Sequence, residues 1–253
     1  MPSNRLSLFF QWVLSVRRDP IGRPCLDDVL LGSSVDVSTN PSAVPPLHPV
    51  GRLDYDTTGL LLFSSSGPLT QALLHPKHSI EKEYVAVVTG IVNEEELRTV
   101  LAAGVTTGEG VHTAQLVSAL PNTPPSEDVA TFLAKIKSGL PKEYNTTDLK
   151  LRGYLDIFDA TSLSTVTLTV SEGKYRMVRR MLANVGHPVV TLYRARLGEI
   201  SLGDVPVGQT RTLTHTEMKW ARKQLKQGGK VLNPTEPKKR EPQSEDSDED
   251  SME

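Results

Sequence analysis

The chain has 253 residues, 28 basic and 30 acidic, with a formal charge of −2 and 38% hydrophobic side chains, enough for one large domain or two small ones. A single cysteine, Cys25, excludes a disulfide framework and a cysteine-rich zinc site, and fits a reducing, intracellular compartment, whether cytoplasm, plastid or mitochondrion. No apolar run approaches the ~20 residues of a membrane-spanning helix, so no membrane partner is expected.

Residues 1–18 lack Asp and Glu and carry Arg5, Arg17 and Arg18. They read as a first strand plus a loop, a weak transit-peptide character being the other reading. Asn40–Pro49 is rich in proline and short side chains, a loop. Gly59–Ser64 reads as a buried strand. Gly67-Pro68 opens a helix, since proline is tolerated in a first turn, with Leu69, Ala72 and Leu73 as its apolar stripe and Pro76 as its end. Tyr84–Val88 is β-branched and aromatic, hence a strand. Asn93, followed three residues later by Glu96, resembles a capping box, so Asn93–Ala103 reads as a helix terminated by Gly104. Val111–Leu120 reads as one strand. Pro121–Asp148 is polar and proline-rich, a surface insertion with room for a short helix over Glu127–Ser138. Thr165–Val170 alternates as a strand. Lys174–Val185 puts Tyr175, Val178, Met181, Leu182 and Val185 on one helical face, and Gly186 stops it. Pro188–Leu192 and Glu199–Leu202 read as strands and Thr214–Gln227 as a terminal helix. Thr235–Glu253 is low-complexity and acidic, hence disordered. Strands mixed with helices, without a strict βαβ rhythm, predict an α+β fold on a largely antiparallel sheet.

The charge is unevenly placed. Pro234–Glu253 holds eight acids and three bases, a net of −5, so the rest of the chain carries +3. Within Glu172–Arg196 six Lys and Arg face one acid, a local +5. That is the electrostatic footprint of a polyanion partner. The six histidines make no metal-ligand spacing, and no glycine loop of the phosphate-binding kind is present.

The most informative stretch is residues 51–62, Gly-Arg-Leu-Asp-Tyr-Asp-Thr-Thr-Gly-Leu-Leu-Leu. Two carboxylates and a guanidinium sit between two glycines, ahead of an apolar run. A carboxylate beside a turn, backed by a strand that plugs into a core, is a positioned charge; an Asx-turn leading into a strand is the plainer reading. The stretch resembles the motif of the RsuA/RluB family of pseudouridine synthases: Gly-Arg-Leu-Asp, two variable residues, Thr or Ser, one variable residue, Gly-Leu. His75-Pro76 and Glu81-Lys82-Glu83-Tyr84 resemble that family's His-Pro and Lys-x-Tyr segments, and Glu172–Met181 its third motif. The resemblance runs from about Asp19 to Thr212.

The resemblance implies a mixed, mostly antiparallel sheet with flanking helices and a central cleft. It implies a catalytic domain over 19–233, with 1–18 a divergent or truncated N-terminal segment, 121–148 an insertion and 234–253 an acidic tail. The N-terminal S4 RNA-binding domain and Asn-Lys-Pro segment usual in the family are not matched. It further implies isomerisation of uridine to pseudouridine in RNA, ribosomal RNA being the expected substrate, by a monomer. The reaction needs neither redox nor energy input, so no cofactor and no metal are expected.

By the same resemblance, Asp54 is the carboxylate acting at C1′, either covalently or as a base. Tyr84 is the aromatic ring that stacks on the flipped base. Arg179 is the ion-pair partner holding Asp54 charged, with Arg180 the alternative register. The candidate RNA contacts are Arg52, Lys82, Lys174, Arg176, Arg180, Arg194 and Arg196. Asp56 falls at a variable position and reads as a turn-stabilising acceptor. Met177 departs from the family, which often has Gln there. Two other readings are an inactive RNA-binding paralogue and a nucleoside or glycoside hydrolase using Asp54 and Asp56 as a pair.

Overall fold

The computed structural model describes residues 5–9, 15, 25–26, 47–121, 162–206 and 209–231, with 5–9 and 228–231 as backbone only. In chain order the described elements are β1 (Arg5–Phe9), β2 (His48–Val50), β3 (Thr57–Ser64), α1 (Gly67–Leu74), a 3-10 turn (Pro76–His78), β4 (Lys82–Thr89) and α2 (Glu94–Ala103). Then come β5 (Val105–Thr107), β6 (Gly110–His112), β7 (Gln115–Leu120), β8 (Leu163–Val170), α3 (Met177–Asn184), β9 (Val189–Leu197), β10 (Ile200–Ser201), β11 (Thr210–Thr212) and α4 (His215–Val231). The main sheet runs β11-β1-β3-β9-β4-β8-β7, with β2 added to β3 and β10 to β9, while β5 and β6 form a separate hairpin. β3 and β9 are parallel and the other pairs antiparallel, so the sheet is mixed and mostly antiparallel, as the element order predicts.

The motif strand is buried on both faces. Leu60, Leu61, Leu62 and Phe63 are all out of water, and they alternate between two cores. Leu60 and Leu62 join Leu197, Ile200 and Trp220 on one side. Leu61 and Phe63 join Leu26 and Leu53 on the other. Side chains that point to opposite faces at successive positions, each face covered, explain an unbroken apolar run. A third core lies under β4 and β8, where Ala86, Val88, Val166 and Leu168 meet Leu101 of α2 and Met181 and Leu182 of α3.

The parallel pairing of β3 with β9 needs a glycine. Gly59 sits opposite Arg194 at φ +106, and a Cβ there would lie 2.3 Å from the Arg194 carbonyl oxygen. Only a residue without a side chain fits that approach.

Local signals place most helices. Asn93 caps α2, its Oδ1 accepting from the amides of Glu95 and Glu96. Ser66 caps α1, its Oγ accepting from Leu69 N. Four expectations change. His48–Val50 is a strand, because its backbone pairs with Leu62–Ser64. Val111–Leu120 is split between β6 and β7 at Thr113-Ala114. β9 runs on to Leu197, since β4 pairs with it along its length. α3 begins at Met177, because Arg176 takes a left-handed φ of +51 that no α-helix continues through. The segments 19–24, 122–148 and 234–253 lie outside the described residues, and so do the insertion and tail assigned to them.

Candidate active site

The turn between β2 and β3 carries both motif carboxylates. Gly51 opens it at φ +81 and Thr57 N closes it by donating to Asp54 O at 2.9 Å. Ser15 fastens it from the N-terminal side: its Oγ donates to Leu53 O at 3.1 Å and accepts from Leu53 N at 3.0 Å. Leu53 itself is buried with Leu61 and Phe63. The backbone on either side of Asp54 is therefore held, and the Asp54 side chain lines a cleft of about 670 Å³. That size belongs to small-molecule pockets rather than to a groove for a duplex. Lys82, Tyr84, Glu172, Tyr175 and Arg194 also line it.

The two carboxylates have different environments. Asp56 is 0% exposed and takes a two-pronged ion pair from Arg176, Nη1 to Oδ1 at 2.5 Å and Nη2 to Oδ2 at 2.8 Å. Arg179 adds its Nε 3.5 Å from Asp56 Oδ2, donates Nη2 to Asp56 O at 2.6 Å and Nη1 to Val189 O at 3.1 Å. Both arginines are themselves buried, at 7% and 4% exposure. This corrects three expectations. The contact partner of Arg179 is Asp56, not Asp54. Arg176 is interior and engaged, so it does not reach for phosphate. Asp56 is the centre of a buried ion triad rather than a simple turn acceptor. Arg176 and Arg179 are three apart in the sequence and Asp56 immediately precedes a strand buried on both faces, but neither pattern says which of the two carboxylates the arginines meet.

Asp54 makes no side-chain hydrogen bond or ion pair among the described residues and is half-buried. Burial, and then the like charge of Asp56, push its carboxyl above the ordinary carboxylate range. Arg176, Arg179 and Arg52 pull the other way. The arginines act on Asp54 through space, not by contact. A carboxylate that is positioned by its backbone, destabilised by desolvation and free of a bonding partner is available for reaction.

Lys82 and Tyr84 stand two apart on β4, hence on one face, and both line the cleft. Tyr84 leans on the core of Leu168 and Met177. Lys82 donates its Nζ to Ile80 O at 3.0 Å. Burial, then Arg194, lower its pKa, and Glu172 opposes that. Glu172 has a partner the sequence did not indicate: the buried His112 Nδ1, 2.7 Å from its Oε1. A buried histidine from β6 thus meets an acid of the third motif sixty positions away, a separation that hides the pairing from any spacing rule.

The basic patch is thinner than its count. Arg194 is 3% exposed, its Nε donating to Leu60 O at 2.8 Å and its Nη1 to Arg52 O at 3.4 Å. It braces the motif turn. Arg196 turns away from the cleft to Glu81, Glu83 and Gly198 O. Arg180 pairs with Glu109 at 3.0 Å and lies over the Tyr175 ring. Arg52 and Lys174 are exposed at the cleft rim. Three of the seven cationic candidates thus line the cleft with some exposure, Arg52, Lys82 and Lys174, while Arg180 stands behind the Tyr175 ring. Among the described residues no group of three His, Cys, Asp or Glu converges as metal ligands, and no helix is long and apolar enough to cross a membrane.

The family model described as RNA pseudouridylate synthase matches residues 25–184. The chain is 35% identical over 173 residues to ribosomal large subunit pseudouridine synthase B of Bacillus subtilis (strain 168), an alignment covering 68% of this chain and 56% of that protein. It is 32% identical over 173 residues to ribosomal small subunit pseudouridine synthase A of Escherichia coli (strain K12), covering 68% of this chain and 58% of that one. The chain therefore spans less than two thirds of the length of either relative. A crystal structure of pseudouridylate synthase superposes with a TM-score of 0.59 at 24% identity, over 87% of this chain and 74% of the other, which establishes the likeness of fold.

Proposed function

The chain belongs to the RNA pseudouridylate synthase family, and from that premise we propose that it isomerises uridine to pseudouridine in ribosomal RNA, acting as a monomer. The observation that carries this is Asp54: a carboxylate whose backbone is held at Leu53 and at its own carbonyl, without a side-chain contact among the described residues, lining a cleft of nucleotide size.

The reaction breaks the C1′–N1 bond, rotates the uracil, joins C5 to C1′, releases the C5 proton and protonates N1. Nothing is oxidised or reduced. Asp54 acts at C1′, where a charged carboxylate stabilises or captures the electron-poor sugar carbon as N1 departs. The target uridine must leave its stack to reach a pocket of this size, and Tyr84 offers its ring to the extruded base. Arg176 and Arg179 supply a positive field that favours the ionised form of Asp54, while Asp56 keeps those two cations inside the protein. Arg52 and Lys174, at the rim, meet the phosphates on either side.

The test is incubation with unmodified ribosomal RNA transcripts and with ribosomal subunits, followed by site-resolved pseudouridine mapping. The expected result is conversion at a discrete uridine by the wild-type chain and none by Asp54→Asn. RNA binding without conversion on any ribosomal substrate would make the chain an inactive binding paralogue and refute the proposal. Light scattering checks the monomer.

A further inference from the structure

Tyr175 is a large aromatic side chain that the fold leaves in water. Its residue is 57% exposed and lines the cleft, at the outer end of the loop that leads into α3. The sequence period placed it on the apolar face of a helix, but the helix starts two residues later. The next residue, Arg176, holds a left-handed backbone and is tied to Asp56 by two hydrogen bonds, so the segment bearing the ring is anchored in the core. One face of the ring is covered. Arg180 lies over it with Cζ 5.0 Å from the ring centroid, and Glu109 holds that guanidinium at 3.0 Å. A ring fixed on its backbone, with one face backed by a cation and its residue largely open to solvent at the cleft mouth, is a prepared stacking surface.

We infer that Tyr175 is a stacking platform for an unpaired nucleobase adjacent to the uridine that enters the cleft, an inference that rests on the proposed function. Tyr84 lies within the cleft and Tyr175 at its mouth, so the two rings address successive nucleotides rather than the same one. A phosphate would be the wrong occupant, since the ring offers one hydroxyl and a broad apolar face. The phosphate partner is next door in the exposed Lys174. A nucleobase matches the face, and a purine covers more of it than a pyrimidine. Holding the neighbour also keeps the extruded strand from restacking, which turns a surface contact into a device for presenting the target.

The test uses a stem-loop RNA whose loop carries one uridine flanked in turn, on the 5′ and on the 3′ side, by 2-aminopurine. The wild-type chain is expected to quench the fluorophore at one flanking position. Tyr175→Ala should abolish that quenching and weaken binding about tenfold or more, while Tyr175→Trp and Tyr175→Phe keep both. On the same RNA with an abasic residue at that position, wild type and Tyr175→Ala should bind alike. Thermal melts report whether each variant is folded. Unchanged quenching in a folded Tyr175→Ala, equal loss of affinity on intact and abasic RNA, or no quenching at either position by the wild type would each overturn the inference. Failure of the proposed function reads differently: quenching that depends on Tyr175, with no pseudouridine formed, leaves the platform standing and removes the chemistry.

Discussion

Two aspartates, two residues apart, are assigned opposite roles, and single isosteric substitutions separate them. Asp56→Asn keeps the shape of the side chain and removes the carboxylate charge in contact with two buried guanidiniums. The Arg176 pair has bonds of 2.5 and 2.8 Å and Arg179 stands at 3.5 Å, all out of water. Breaking a buried pair from one side costs about 3–5 kcal/mol, because the remaining charge is left uncompensated. Two guanidiniums lose that contact at once, which puts the expected loss at the upper end. For a chain of this size each kcal/mol lowers the melting temperature by about 2–4 °C, so a fall on the order of 10 °C is expected.

Asp54→Asn should do the reverse. Its folded carboxyl has a pKa raised above 3.8 by burial and by Asp56. The folded state therefore binds the proton more tightly than the unfolded state. Wild-type stability accordingly falls as pH rises through the window that begins near 3.8 and ends at the raised folded value. The asparagine variant lacks this penalty. At neutral pH it should melt at or above the wild type, and the two should converge as pH falls and Asp54 protonates. The assay is a pair of thermal melts at neutral and acid pH, beside single-turnover pseudouridine formation. Asp54→Asn should be inactive and stable; Asp56→Asn should be unstable, and inactive only to the extent that it unfolds or misplaces Asp54. If Asp54→Asn melts lower than Asp56→Asn, the assignment of the two carboxylates is reversed.

The acid limb of the rate profile should lie above the ordinary carboxylate range, since Asp54 must be ionised and its pKa is raised by burial and by Asp56; a limb at or below 3.8 would contradict that. Lys82, whose pKa is lowered from 10.5 by burial and then by Arg194, should react with an amine-directed reagent at a lower pH than the exposed lysines, as peptide mapping across a pH series would show. Gly59→Ala should prevent folding, because its Cβ would meet the Arg194 backbone at 2.3 Å in a φ of +106; a soluble variant with a wild-type melt would refute the close approach. RNA binding should weaken with salt at a log–log slope of about −1.4, as two phosphate contacts from Arg52 and Lys174 would give for a single strand at ~0.7 each. A slope near that of all seven cationic candidates would return Lys82, Arg176, Arg180, Arg194 and Arg196 to the phosphate interface.

The sheet and the place of the Asp54 carboxylate at the cleft were legible in the sequence because both rest on short-range patterns. Alternation in Thr165–Val170, the proline and glycine punctuation around α1 and α2, and the apolar run after Asp56 all act over a few residues. The family motif placed Asp54, Tyr84 and Lys82, and the structure gathers them at one cleft. Long-range pairing was not legible. Which acid answers Arg179 depends on the path of the turn at 51–56, over a hundred residues away, and two carboxylates were within reach of the same guess. Counting charges also overstated the basic patch. Glu81, Glu83 and Glu109 lie outside the window of Glu172–Arg196, yet they occupy Arg196 and Arg180 in space. Tyr175 was misplaced for a local reason: helical periodicity does not sense the left-handed residue that delays the helix.

On the function proposed above, the division between Asp54 and Asp56 lets the cleft keep an anion for reaction without neutralising it. A carboxylate that reacts at carbon must be ionised, yet a close two-pronged arginine would occupy the lone pairs it needs. With no cation nearby, burial would protonate it. The fold resolves this by giving the contact to Asp56 and the field to Asp54. Arg176 and Arg179 bond to the first and act on the second from a distance. Because burial, and then the repulsion of Asp56, outweigh that field, Asp54 is left with a raised pKa rather than a lowered one. Its basicity, and with it its capacity to act at C1′, is higher than a directly paired aspartate would have. The arrangement predicts that moving the contact to Asp54 is harmful. A variant with Asp56→Ala removes the carboxylate that both arginines contact and leaves their charge to Asp54, and in whatever fraction remains folded the acid limb should move to lower pH while the rate on its plateau falls. An acid limb that stays in place in folded Asp56→Ala would show that the two carboxylates do not share the arginines.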